Sequence, residues 1–432
     1  MNKSKINIIT LGCSKNLVDS EMLLNQLDLN GYEVVHDSVD DDANIVILNT
    51  CGFIADAKEE SINTILNFVD ARKSGDIDKL LVMGCLSGRY KEEMQAEMPE
   101  VDKFYGKFDF KSILNDLNAE YYDDKFYHRI KTTPSHFAYL KISEGCNRKC
   151  SFCAIPQFTG KHTSRTIESL LAEAERLAQS GVKELLVIAQ DLSYYGIDLY
   201  GESKLAELIE KLAQIKGVEW IRLHYTHPSN FPLDLLRVMR ENDNVANYLD
   251  IPLQHASSSM LKTMHRGINR EQTIELIQKI RNEVPGIALR TTYLVGHPGE
   301  TEEDYQELKQ FIHDYPMERM GVFAYSNEDD TYAAKNYEDN IPQEIKEERA
   351  EELMAIQQEI SAKFNYSLIG KKLRVLVDSE EEDFFMARTE YDSPEVDCEV
   401  FLEKNTQITV GNFYDVEIVD AIDFDLFAEI LE

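Results

Sequence analysis

No apolar run in this 432-residue chain approaches the roughly 20 residues that a helix needs to cross a bilayer. The stretch Met1 to Gly12 carries two lysines and only Ile6–Leu11 as an apolar core, too short and too polar for a secretory signal. A cytoplasmic protein with no membrane partner is therefore expected. Basic residues are in short supply: 45 Lys+Arg stand against 78 Asp+Glu, a net charge of −33. Such a surface repels nucleic-acid phosphates and attracts basic partners, or simply keeps the chain soluble. There is no solenoid-type repeat and no low-complexity tract. Cysteine is sparse too, at seven residues. In a reducing compartment, clustered cysteines bind metal or do redox chemistry sooner than form disulfides.

What these cysteines lack is a fourth partner. Six of them fall into two sets of three: Cys146, Cys150 and Cys153 in a tight CxxxCxxC loop, and Cys13, Cys51 and Cys85 far apart in sequence. Three thiolates can bind an iron–sulfur cluster and leave one iron open to something that is not protein.

Length predicts two or three domains, and 43% hydrophobic residues suit folded ones. In the first part, residues 1–127, the apolar runs Ile6–Leu11, Asn44–Leu48 and Leu80–Met83 alternate with helical stretches. Strand–helix alternation implies a parallel sheet with helices on its faces, and ligands sit beyond the carboxyl ends of such strands. Cys13, Cys51 and Cys85 occupy that edge, each beside a glycine (Gly12, Gly52, Gly84) that permits close backbone approach. Three strands can thus deliver three sulfurs to one point; the alternative is three buried cysteines acting as small hydrophobes.

After a polar linker, residues 136–365 show six strand–helix units, with strands expected at Phe137–Ile142, Glu184–Ile188, Trp220–Leu223, Tyr248–Ile251, Ile287–Leu294 and Gly321–Ala324. This suggests an incomplete parallel (β/α)6 barrel with its chemistry at the carboxyl edge. From residue 366 to 432 the texture becomes short alternating strands, including Cys398–Phe401 and Thr409–Val410, which suggests a small antiparallel β-barrel. Residues 371–432 hold 18 Asp+Glu and 5 Lys+Arg, a net of −13. Cys398 alternates with polar neighbours and reads as an inward-packed side chain.

The CxxxCxxC loop follows the first barrel strand. Structural zinc wants four closed ligands, and only His162 is near enough to complete a Cys₃His set, which leaves that reading open. CxxxCxxC in this position resembles the radical S-adenosylmethionine superfamily. The resemblance implies a four-iron cluster on Cys146, Cys150 and Cys153 whose open iron binds S-adenosylmethionine. It implies Phe152 beside the adenine, Gln190 and Asp191 at the methionine amino group, and Arg290 with the Leu294–Glu300 segment, Gly296 included, at carboxylate and adenine. His255, in IPLQHAS, either touches substrate or holds its loop.

With both triads placed, the chain resembles the methylthiotransferases over its full length: a cluster domain, a radical barrel and a C-terminal TRAM barrel of OB-like type. LGCSKNLVDSE (Leu11–Glu21), NTCGFIADAKEES (Asn49–Ser61) and GCLSGRY (Gly84–Tyr90) are similar to the branch that modifies an aspartate of small-subunit ribosomal protein S-twelve. The tRNA-modifying branch usually has Gln-Met-Asn where this chain has Ser14-Lys15-Asn16, and a basic residue where Ile54 stands. One departure is Thr159, where the family commonly has arginine; Gly160, Ser164 and Arg165 keep their places. The resemblance implies a second four-iron cluster on Cys13, Cys51 and Cys85 holding sulfur, two molecules of S-adenosylmethionine consumed, an electron donor as partner, and 3-methylthioaspartate as product. It also implies that both clusters face one cavity. The acidic barrel fits a lysine- and arginine-rich protein substrate and argues against direct tRNA binding. A tRNA methylthiotransferase and a non-enzymatic iron–sulfur carrier are the alternatives.

Overall fold

Alternating apolar runs and helices at the start of the chain build a fully parallel sheet. Its strands are β1 (Lys5–Thr10), β2 (Glu33–His36), β3 (Ile45–Thr50), β4 (Lys79–Gly84) and β5 (Lys103–Phe104), in the order β2-β1-β3-β4-β5. Ile45, Ile47, Leu81 and Met83 pack on one face, and Val46, Leu48, Leu80 and Val82 on the other. Both faces are covered by helices, so the central strands read as unbroken apolar runs. The two edge strands escaped the sequence reading: Glu33–His36 is only half-buried and Lys103–Phe104 has two residues, too little pattern for period-2 detection.

The computed structural model describes residues 4–39, 42–404 and 408–431. They form two compact units. The first holds Met1–Thr133, Glu144–Arg148 and Cys153–His162; the second holds Pro134–Ser143, Lys149–Phe152 and Thr163–Glu432.

In the second unit six parallel strands lie side by side in chain order: β6 (Phe137–Lys141), β7 (Glu184–Ile188), β8 (Trp220–Leu223), β9 (Val245–Asp250), β10 (Ala288–Val295) and β11 (Arg319–Ala324). The sheet is not closed on itself. Leu185, Val187, Ile221, Leu223, Leu249 and Leu289 face the covering helices and form the main core. Those helices are fixed at their starts by side-chain caps. Thr166 accepts from Ser169, and Asn269 with Gln272 and Thr301 with Asp304 form reciprocal capping boxes.

The C-terminal segment closes into a five-stranded barrel of β12 (Lys372–Glu380), β13 (Phe384–Thr389), β14 (Val400–Glu403), β15 (Phe413–Ala421) and β16 (Leu426–Ile430). It is not antiparallel throughout, because β14 and β16 pair in parallel to close it. Thr409–Val410, expected as a strand, instead leads into the turn before β15, where Thr409 N–H donates to the Tyr414 hydroxyl. Cys398 is buried as expected, but against the helix Gln343–Tyr366 rather than inside the barrel: the Asn365 amide lies 3.8 Å from its sulfur.

The barrel and the parallel sheet share a buried ionic seam. Arg222, fully buried, donates to Glu184 at 2.8 Å and to the Glu390 carbonyl at 2.6 Å. Arg388 reaches Glu184 at 2.8 Å and Asp378 at 2.5 Å, and His136 meets Asp378 at 2.8 Å. Arg319 bonds Asp392 at 2.7 Å, and Tyr248 donates to Asp397 at 2.8 Å. Part of the barrel's acidity is therefore turned inward onto the sheet.

Candidate active site

The first triad is built by sheet topology. Cys13 caps the amino end of α1 (Ser14–Leu29) just beyond β1, Cys51 directly follows β3, and Cys85 opens α3 (Cys85–Glu97) directly after β4, α2 being Ala55–Ser74. These are three adjacent strands of one parallel sheet, so the three thiols share its carboxyl edge. Glycine is required there. A Cβ on Gly12, at φ +89°, would stand 2.7 Å from the Cys51 sulfur, and one on Gly52 2.7 Å from the Leu86 Cα. Asn16, from the Ser14-Lys15-Asn16 string, ties the edge together. Its amide donates to the Leu11 and Thr50 carbonyls at 3.1 and 3.2 Å, and its oxygen lies 3.5 Å from the Cys85 sulfur. Ser61 brackets Cys51, accepting from its N–H at 3.0 Å and donating to its carbonyl at 3.1 Å.

Cys13 is exposed, while Cys51 and Cys85 are buried. Burial raises both buried thiols, Cys85 to about 12, with the charge on Lys107 working in the opposite direction. Positive iron would deprotonate them on binding.

Lys107 is the residue that sequence reading missed. It follows β5 at the same sheet edge, so the strand-end rule that located the cysteines locates it too. Its side chain is 3% exposed and its ammonium lies 3.1 Å from Glu144 and 3.7 Å from Asp19. Burial alone would lower it, yet Glu144 and Asp19, then Cys85 and Cys13, hold it above the ordinary lysine value. A permanent cation thus sits beside the sulfur triad and on the carboxylate two residues before Cys146. Lys107→Met removes a buried cation that Glu144 and Asp19 share, and the expected loss of unfolding free energy is about 3–5 kcal/mol. Chemical denaturation of the full chain measures it; a loss below about 1 kcal/mol, the value of an exposed pair, would contradict this role.

The second triad sits on a loop held at several points. Gly145, at φ +76°, lies so close to the returning chain that a Cβ would stand 2.3 Å from the Lys161 carbonyl oxygen. Cys146 N–H donates to the Gly160 carbonyl at 3.3 Å, and Arg148 N–H donates to the Cys146 sulfur at 3.4 Å. In the second unit Ser151 N–H donates to the Met264 carbonyl and its own carbonyl accepts from Ala333. Arg266, buried, donates to the Cys150 sulfur at 3.2 Å and to the Pro252 carbonyl at 2.5 Å. Nothing in the sequence flagged Arg266, which lies 116 positions from its cysteine. A guanidinium on one sulfur and an ammonium beside the other triad suit thiolate-rich, anionic groups. Among the described residues no three His, Cys, Asp or Glu side chains converge tightly enough for a single metal ion. A four-iron cluster takes each thiolate on a different iron, so it does not need three side chains to converge on one point.

The other expected contacts have distinct fates. Phe152 packs among Met260, Met264, Leu294, Tyr325 and Tyr337, edge-on to His297 at 6.3 Å. Burial pushes His297 down to about 4, so it is neutral, and it meets the Ser151 hydroxyl at 3.0 Å. Gln190 and Asp191 follow β7 at the carboxyl edge, and Asp191 caps the short turn Leu192–Tyr194 by accepting from Ser193. Gly296, at φ +74°, donates to Glu300 at 2.8 Å and sits where a Cβ would meet the Lys346 side chain at 2.2 Å. His255 Nδ1 accepts from Ser257 N–H at 3.0 Å, and its Nε2 lies 3.7 Å from Glu300. Thr159 turns its hydroxyl back onto the Ile155 carbonyl. Arg290 is the third residue of the eight-residue β10, and its guanidinium pairs with Asp250 at 3.4 Å and with Asp397 of the C-terminal barrel at 3.2 Å.

The Radical SAM superfamily model matches residues 140–312, the model of uncharacterized protein family UPF0004 matches 5–106, and the TRAM domain model matches 369–431. The chain is 57% identical over its whole length to the ribosomal protein uS12 methylthiotransferase RimO of Bacteroides thetaiotaomicron, covering 99% of that protein. It is 56% identical to the protein of that name from Bacteroides fragilis, and 54% to that from Porphyromonas gingivalis, with both chains covered in full. Among solved structures, the radical S-adenosylmethionine methyltransferase TsrM from Kitasatospora setae shares the fold at 13% identity and a TM-score of 0.56, over 74% of this chain and 73% of that one. The cobalamin-dependent radical enzyme OxsB does so at 14% and 0.53, over 82% and 56%. The identity over the full length of the relatives carries the assignment: the chain is an enzyme of the RimO family of radical S-adenosylmethionine methylthiotransferases.

Proposed function

We propose that the enzyme inserts a methylthio group at the β-carbon of an aspartate in ribosomal protein uS12, giving 3-methylthioaspartate. The observation that carries this is the convergence of Cys13, Cys51 and Cys85 at the carboxyl ends of three adjacent strands, in a chain that also has the CxxxCxxC loop. In this reading Cys146, Cys150 and Cys153 hold one four-iron cluster and Cys13, Cys51 and Cys85 a second. When bound, the clusters and S-adenosylmethionine supply a 5′-deoxyadenosyl radical together with the sulfur and methyl group that are transferred.

The protein's own work is then positional. Arg266 steadies the Cys150 sulfur, Lys107 balances charge beside the second set of thiols, and Phe152, Gln190, Asp191 and Gly296 border the cofactor. Holding the reacting carbon in one orientation, away from water, is what such a protein contributes. A cytoplasmic electron donor completes the cycle. The acidic C-terminal barrel favours a basic protein substrate; a tRNA substrate would meet the repulsion of its carboxylates. Among the described residues no helix is long and apolar enough to cross a membrane.

The test is mass analysis of uS12 from cells with and without the gene. A gain of one methylthio group on one aspartate, present only with the gene, is expected. An unchanged uS12 alongside a methylthiolated tRNA adenosine would overturn the substrate.

A further inference from the structure

The outward face of the C-terminal barrel carries a row of aromatic rings between two rows of carboxylates. On β13, β14 and β16 the alternate residues Phe385, Ala387, Val400, Leu402, Leu426 and Ala428 fill the barrel core. Their neighbours Phe384, Phe401 and Phe427 therefore point outward. Phe401 and Phe427 are register partners, stacked at 5.3 Å with an interplanar angle of 22°, and Phe384 meets Phe401 edge-on at 5.7 Å. Phe384 is 37% exposed, and the other two are half-buried. Glu399 and Asp425 flank the row on one side, Glu403 and Glu429 on the other, two residues before and after Phe401 and Phe427 on their strands. The crowding is real: burial, then Asp425, raises the Glu399 carboxyl.

This face differs from the barrel's ionic seam. Asp378, Asp392 and Asp397 are already matched by Arg388, Arg319 and Arg290. The one cation on the outward positions of the three strands, Arg388, is buried against Glu184 and Asp378. The aromatic row and its flanking carboxylates have no such counterpart among the ion pairs of the described residues. Rings alone would suit stacked nucleobases, as on many small barrels. Here the flanking charge is of the wrong sign for a phosphate backbone and of the right sign for guanidinium and ammonium groups, which also lie well on aromatic faces.

We propose that the Phe384–Phe401–Phe427 face is the docking surface for an arginine- and lysine-rich segment of the protein substrate, its cations lying over the rings with their charges met by Glu399, Glu403, Asp425 and Glu429. This rests on the reading of a basic ribosomal protein as substrate. It adds which side of the barrel the substrate uses, and that ring contact as well as charge selects it.

The test compares the loaded full-length enzyme with a Phe401→Ser/Phe427→Ser variant and a Glu399→Gln/Glu429→Gln variant. Readouts are KM and kcat for uS12, and binding of a fluorescent Arg/Lys-rich peptide cut from it. Both variants should raise KM about tenfold with kcat within about twofold, and weaken the peptide equally. Phe401→Tyr/Phe427→Tyr, which keeps the rings, should behave as wild type. Cleavage of S-adenosylmethionine without substrate should be unchanged, which separates lost docking from lost folding. Unaltered KM and peptide affinity in both serine and glutamine variants would overturn the face while leaving the uS12 reading intact. If wild type modifies no uS12, that reading fails, and the peptide measurement still decides the face. Tight binding of single-stranded RNA to wild type, lost in the serine variant, would mark a nucleic-acid platform and overturn the proposal.

Discussion

Cys13→Ala should still cleave S-adenosylmethionine to 5′-deoxyadenosine yet transfer no methylthio group. The substitution is chosen for its burial. Cys13 is exposed at the start of α1, whereas Cys51 and Cys85 are buried, so losing its sulfur opens no core cavity. The neighbouring strand ends keep their own ties: Asn16 holds the Leu11 and Thr50 carbonyls, and Ser61 brackets Cys51. What disappears is one of three thiols at the edge. With two left the second cluster should not be retained, and iron per chain should fall from about eight to about four. Cys150→Ala is the opposite case, losing cleavage altogether. Normal methylthiolation by the Cys13→Ala enzyme, or a wild-type iron count near four, would remove the N-terminal triad from the reaction.

The triads were legible because chemistry and topology coincide. A cysteine after an apolar run, repeated three times, needs only the rule that ligands gather at the carboxyl edge of parallel strands. The same rule reaches Lys107, but β5 is two residues long and gives no periodic signal. Arg266 was illegible for another reason. Its partner, Cys150, is distant in sequence and brought close only by the fold. The pairing of Arg290 with Asp397 was illegible for the same reason, since the two lie 107 positions apart. Net charge was legible only as a total. The barrel's count of −13 is a property of composition, while its distribution between an inward seam and an outward face depends on which strand positions face the sheet.

That seam carries the second large effect. Glu184 is fully buried between Arg222 and Arg388, and Glu184→Ala would leave two guanidinium groups facing each other without their shared carboxylate. The expected cost is about 3–5 kcal/mol, far above that of an exposed pair. Burial works against the Glu184 carboxylate, yet Arg388 and Arg222 hold it below the ordinary glutamate value, and Arg388 and His136 do the same for Asp378. Groups depressed in the folded state contribute stability above their unfolded values and lose it as pH falls through the folded ones. Stability should therefore hold down to the ordinary carboxylate range near pH ~4 and drop below it. Glu184→Gln should flatten that acid limb. Urea midpoints of the full chain between neutral and acid pH measure both effects. A Glu184→Ala loss under about 1 kcal/mol would mean the seam is wet and weak. A further comparison separates pairing from packing: Glu184→Leu with Arg388→Met removes one charge of each sign, while Arg222 keeps the Glu390 and Thr389 carbonyls and Asp378 keeps His136 as partners. Recovery of most of the lost stability in that double variant would show that the seam's contribution is the avoidance of an unpaired buried charge.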